Sequence, residues 1–153
     1  MDIISYVSEM PKAELHLHIE GTLEPEMMMA LAEKHGVVLP YTTLDEVHAA
    51  YNFSDLQSFL DLYYFGASVL RDESDFFDLM WAYLVKCRQQ NIVHTEIMFD
   101  PQTHTDRGIA FDVMMKGYLG ALKQAEAEWG QSFKLIMCFL RHLSQASAFE
   151  TLG

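Results

Sequence analysis

Cysteines, cations and long apolar runs are what this chain of 153 residues has least of. Cys87 and Cys138 stand 51 positions apart and form no C-x-x-C pair, which excludes a disulfide scaffold or a cysteine-built zinc finger. Both sit in apolar runs and read as reduced thiols of a cytoplasmic protein. Ten Lys and Arg face 22 Asp and Glu, a formal charge of −12. With no basic stripe to release counterions, neither a nucleic acid nor an anionic membrane surface is an expected partner. No eighteen consecutive apolar residues occur, and Met1-Asp2-Ile3-Ile4-Ser5-Tyr6-Val7 lacks a basic n-region, so neither a membrane span nor a secretion signal is expected.

Half the chain is apolar, enough for one globular core. Strands and helices alternate along it. Ala13–Ile19 reads as the first strand. Pro25 opens a helix through Met28, Leu31 and Ala32 that Gly36 closes. Leu44–Tyr51 reads as a short helix. Ser54-Asp55 caps another with Leu56, Phe59, Leu60, Tyr63, Tyr64 and Ala67 along one face. A further helix runs from near Ser74 to Gln90. Ile92–Phe99 is the second strand, Phe111–Trp129 a long helix and Phe133–Leu140 the third strand, with Ser144 capping a last helix. The ten methionines are read as flexible core filler.

The densest chemistry lies in His16-Leu17-His18. Residues two apart on a strand point to one face, so both imidazoles project side by side, an arrangement that suits zinc and other first-row ions. Strict alternation puts Leu15, Leu17 and Ile19 on an apolar face and Glu14, His16, His18 and Glu20 on a polar one. Burying four ionisable groups together is costly unless a metal and hydrogen-bonded carboxylates share the enclosure. His18-Ile19-Glu20 also matches the H-x-E half of the cytidine-deaminase type of zinc site, but the P-C-x-x-C that site requires is absent.

The run Pro11–Glu24, Pro-Lys-Ala-Glu-Leu-His-Leu-His-Ile-Glu-Gly-Thr-Leu-Glu, resembles the first-strand signature of the adenosine and adenine deaminases among the metal-dependent amidohydrolases. Phe99-Asp100-Pro101-Gln102-Thr103-His104-Thr105-Asp106-Arg107-Gly108 and Phe139-Leu140-Arg141-His142-Leu143-Ser144 are similar to the adenine deaminase branch. The resemblance implies an α/β fold, the N-terminal portion of a (β/α)8 TIM barrel with helices inserted after strand 1. Such a barrel needs roughly 250 residues, so residues 1–153 are expected to form one part of a single domain. More than seventy residues separate the first two strands, where a crossover needs only a dozen or more. The inserted helices belong over the C-terminal edge of the sheet. Spacing alone assigns the Leu56/Phe59/Leu60/Tyr63 stripe to core packing; in the resembling family a helix here flanks the substrate entrance.

What the resemblance implies is zinc-dependent hydrolysis of adenine to hypoxanthine and ammonia, in purine salvage. One Zn²⁺ per site lowers the pKa of a bound water to about 7. His16 and His18 are the expected metal ligands, and Glu20, Leu56, Phe59, Leu60, Tyr63 and Asp100 the candidates for the purine pocket. The family's His-Ala-Gly-Glu segment, third ligand and Asp pair do not occur in these residues, so the chain alone is expected to hold no catalytic acid and to be inactive and poorly stable. A deaminase of adenosine or of an N6-substituted adenine, and a non-catalytic truncated product, remain open. Glu20 and the Asp100–His104 run are expected to fill the sugar side of the pocket. His104 and Asp106 read equally as mouth-lining residues or a solvated turn, and Arg141-His142 as a catalytic-edge pair or a buried ion pair.

Overall fold

A computed structural model describes residues 2–153. Three parallel strands, β1 (Lys12–His18), β2 (Ile92–Phe99) and β3 (Ser132–Met137), form one sheet in the order β1-β2-β3. The helices are α1 (Ile3–Glu9), α2 (Pro25–His35), α3 (Leu44–Ala50), α4 (Leu56–Ala67), α5 (Glu73–Gln89), α6 (Pro101–Thr105), α7 (Phe111–Trp129) and α8 (Gln145–Leu152). Four of them, α2 to α5, lie between β1 and β2, as the long first connection requires. The sequence reading lacked α1, the 3-10 turn Ile19–Thr22 and α6. The third strand ends at Met137 rather than Leu140.

Local chemistry accounts for most boundaries. Pro25 starts α2, and Gly36 ends it at φ 62°, a left-handed conformation cheap for glycine. Thr43, Asp55 and Asp72 close capping boxes on α3, α4 and α5, each side chain accepting from the third backbone N–H of its helix. In β2, Thr95, Ile97 and Phe99 are buried while their neighbours are more exposed, because α5 and α7 cover one face. These two helices approach closely at Gly117, where an added Cβ would lie 2.5 Å from the Glu73 carbonyl oxygen. The core unites Phe76, Leu79, Met80 and Leu84 of α5 with Met114, Tyr118, Ala121 and Leu122 of α7. Met28, Met80 and Met114 serve there as fillers.

Strict alternation fails in β1. Three residue steps from Glu14 to Leu17 match only two from Thr95 to Ile97, a bulge that inserts an extra residue. Glu14 therefore shares the helix-covered face with Leu17, and Tyr83 of α5 donates its hydroxyl proton to Glu14 at 2.9 Å. Leu15, expected on the apolar face of the strand, is 58% exposed. Ile19 and Glu20 lie beyond the strand in the buried 3-10 turn, so Glu20 does not continue the strand's polar face.

Candidate metal centre and pocket

The C-terminal ends of β1 and β2 bring His18 and Asp100 together from 82 positions apart, His18 Nδ1 standing 3.2 Å from Asp100 Oδ2. The His16 and His18 rings lie side by side, centroids 5.9 Å apart. Asp100 is nearly buried, and Tyr63 of α4 donates its hydroxyl to Asp100 Oδ2 at 2.7 Å while standing 3.2 Å from Glu20 Oε2. Burial first, then the charges of Glu20 and Asp100, push the Tyr63 phenol far above its ordinary range, so it remains a donor. The inserted α4 thus touches the strand edge through one hydroxyl shared between two carboxylates.

Glu20 is 2% exposed and both its oxygens have polar neighbours. Oε1 accepts from the Asp100 backbone N–H at 3.0 Å and from His104 Nε2 at 3.2 Å. Its side chain therefore reaches into the protein, not toward a sugar, and the expectation that its bulk fills the ribose side gains no support from this geometry. His104 is fully buried in α6, neither mouth-lining nor a solvated turn; Asp106, which caps that helix, is exposed. Pro101 at the first helical position was the available signal for α6.

The aromatic stripe is not core. The buried residues of α4 are Leu62, Gly66 and Ala67, whereas Leu56 is 71% exposed. Helical rotation explains this: Leu62 and Gly66, one turn apart, face Leu23 and Met28. Phe59 lines, with Glu20, Tyr63 and Phe53, a cavity of about 30 Å³, room for one water and too little for a purine. Leu56 and Leu60 do not line it. Arg141 and His142 are exposed; His142 stands edge-on to Tyr64 at 6.4 Å, and among the described residues Arg141 makes no ion pair.

Cys138, just past β3, offers its sulfur within 4.8 Å of donor atoms of His18 and Asp100. Burial raises its thiol pKa, and the charges of Asp100 and Glu20 raise it further. Sequence reasoning missed this neighbour because strand three was drawn through it.

The residues present fit a cation. His18 spends Nδ1 on Asp100, leaving Nε2 as the nitrogen for a metal, the usual carboxylate–histidine support of a ligand. Two buried carboxylates, Glu20 and Asp100, have no Lys or Arg in contact among the described residues, so a positive charge on the His pair would offset them.

A parallel α/β sheet thus carries paired histidines and a carboxylate at its C-terminal edge. The chain belongs to the adenosine deaminase family, whose model matches residues 11–153. Adenine deaminases from Wolinella succinogenes and Hahella chejuensis are 60% and 56% identical over 146 and 147 residues, covering 95% and 96% of this chain. The chain spans 44% of the length of each. The crystal structure of an adenine deaminase from Arthrobacter aurescens matches with a TM-score of 0.89 at 51% identity, over 93% of this chain and 43% of that one. An amidohydrolase from Burkholderia ambifaria with bound Zn shares the fold, with a TM-score of 0.80 at 22% identity, over 97% of this chain and 41% of that one. The sheet and its helices are a partial amidohydrolase barrel.

Proposed function

We propose that this chain supplies the first strands and part of the metal site of a zinc-dependent enzyme that hydrolyses adenine to hypoxanthine and ammonia. The observation that carries the reading is His18, oriented by a buried Asp100 at a sheet edge, in a chain 55–60% identical to proteins named adenine deaminase. Zinc, when bound, supplies Lewis acidity and an activated water. His16 and His18 hold it; Asp100 fixes the His18 tautomer, and Tyr63 keeps Asp100 in place by donating to it. Phe59 and Tyr63 give α4 an aromatic wall beside this edge, and the purine is its small-molecule partner. The free thiols are compatible with a reducing, cytoplasmic setting. The isolated chain of 153 residues does not turn over adenine by this reading, because the proton donor for the ring nitrogen is not among them.

The test is kcat/KM of the full-length zinc protein for adenine, adenosine and N6-methyladenine. Adenine is expected to lead. A value for adenosine equal to or above that for adenine refutes the assignment, and dominance of N6-methyladenine moves it to an N6-substituted substrate.

A further inference from the structure

His104 and Arg107 contribute nothing to the reading above, yet they grip the most deeply buried carboxylate beside it. Arg107 is clamped on the C-terminal end of α4: Nη1 donates to the Ser68 carbonyl at 3.0 Å and Nη2 to that of Ala67 at 2.9 Å, with the Leu70 carbonyl 3.2 Å from the same nitrogen. Nε donates to the Thr103 carbonyl at 3.1 Å. The same Nη2 stands 2.9 Å from His104 Nδ1. A guanidinium has only donors, so Nδ1 is the acceptor and the imidazole proton sits on Nε2. That N–H donates to Glu20 Oε1 at 3.2 Å, and Phe76 meets the His104 ring edge-on at 5.0 Å, fixing its plane.

The consequence runs along one oxygen. Glu20 Oε1 also accepts the backbone N–H of Asp100, so His104 holds the acceptor that fixes the main chain of the residue orienting His18. All three groups, Asp100, His104 and Arg107, come from one short run at the end of β2. An aspartate at position 20 would be one methylene short of spanning both donors.

We propose that His104, locked in its Nε2–H form by Arg107, is a positioning residue for the His18 metal ligand, acting through Glu20 and the backbone of Asp100. This rests on His18 being a zinc ligand. A histidine that merely fills the core would leave zinc binding untouched when replaced by an apolar residue of similar size.

The experiment uses full-length protein, wild type and the variants His104→Leu, His104→Gln and His104→Asn. Nitrogen-15 histidine NMR reads the tautomer, and competition with a chromogenic chelator reads zinc release. One wild-type histidine should be protonated on Nε2 alone, its signal absent from every variant. His104→Leu should release zinc about 10-fold more readily, at the lower end of outer-shell effects. His104→Gln, whose amide reaches Glu20 while its carbonyl accepts from Arg107, should restore retention, and His104→Asn, too short to reach, should not. If His104→Leu fails to fold, the Gln and Asn pair decides alone. A proton on Nδ1, or equal retention by wild type, Leu and Asn variants, overturns the inference and leaves the function standing. A wild-type protein that holds no zinc overturns both.

Discussion

Two clusters in this molecule combine histidine with two carboxylates, and they differ in how charge is balanced. At the C-terminal end of α2, the fully buried Asp75 carboxylate lies 2.6 Å from Lys34 Nζ and 2.7 Å from His35 Nε2, and accepts the backbone N–H groups of Arg71 and Asp72 at 2.8 and 2.9 Å. Asp72 adds a second anion to the same lysine at 3.0 Å. Both oxygens of the buried carboxylate have donors, and one lysine cation serves the two carboxylates. At the strand edge, Glu20 and Asp100 share one tyrosine hydroxyl, and among the described residues the only basic side chains touching them are imidazoles. The first cluster is complete as it stands and joins α2 to the start of α5. The second is short of positive charge beside a histidine pair, and that deficit, not the residue types, marks it as the place for a cation.

The largest expected effect breaks the deficient cluster at its centre. In the full-length protein, His16→Ala and His18→Ala should each strip zinc and abolish adenine turnover while leaving the fold intact, because both rings lie at the partly exposed strand edge and not in the core. Elemental analysis of the purified variants checks this. Undiminished zinc in both would place the metal elsewhere.

The second prediction exchanges one carboxylate for an amide in each cluster. Asp75→Asn leaves either Lys34, on Oδ1, or the two backbone donors, on Oδ2, facing an NH₂ group, and breaking an ion pair with a buried carboxylate costs about 3 kcal/mol. Thermal unfolding should show the loss, while zinc content and turnover per folded molecule stay unchanged. Glu20→Gln should do the reverse in emphasis. Its amide carbonyl can still accept from Asp100 N–H and His104, but the buried negative charge that a cation would offset is gone, and zinc affinity falls on the order of 10-fold. If both variants lose stability and zinc in the same proportion, the distinction between the clusters collapses.

How much of this was legible beforehand follows from range. Elements set by local chemistry were readable: Pro25 and Gly36 bracket α2, Asp55 caps α4, and the apolar run Ile92–Phe99 is β2 end to end. The bulge in β1 was not, because it arises from register against β2, and a one-residue insertion sends Glu14 to the opposite face. The histidine pair announced itself by spacing. His104 and Arg107 did not, since their partners, Glu20 and the carbonyls after α4, lie 84 and about 40 positions away and only folding brings them together. A polar run between a strand and a long helix reads as a solvated loop until a buried acceptor is known to await it.

The smallest expected effect concerns Asp72, which belongs to the balanced cluster but is half exposed. Its hydrogen bond from Ser74, followed by that from Lys34, holds its carboxyl well below the ordinary carboxylate range. A group whose pKa is depressed on folding stabilises the native state above its unfolded value, near 3.9, and that contribution disappears as the pH falls toward the folded value. Asp72 also caps α5, accepting from the Asp75 N–H, and asparagine caps a helix about as well as aspartate does. Asp72→Asn therefore removes the charge and keeps the cap. At neutral pH it should cost roughly 0.5 kcal/mol, the scale of a solvent-screened pair. As the pH falls below the unfolded value the variant and wild type should converge, since the unfolded state takes up its proton first and the folded carboxyl only well below that. Urea unfolding at pH 7 and at acid pH measures the difference. The absence of any gap at pH 7 would mean that Asp72 acts through its cap rather than its charge, and that the balance drawn for this cluster rests on Asp75 and Lys34 alone.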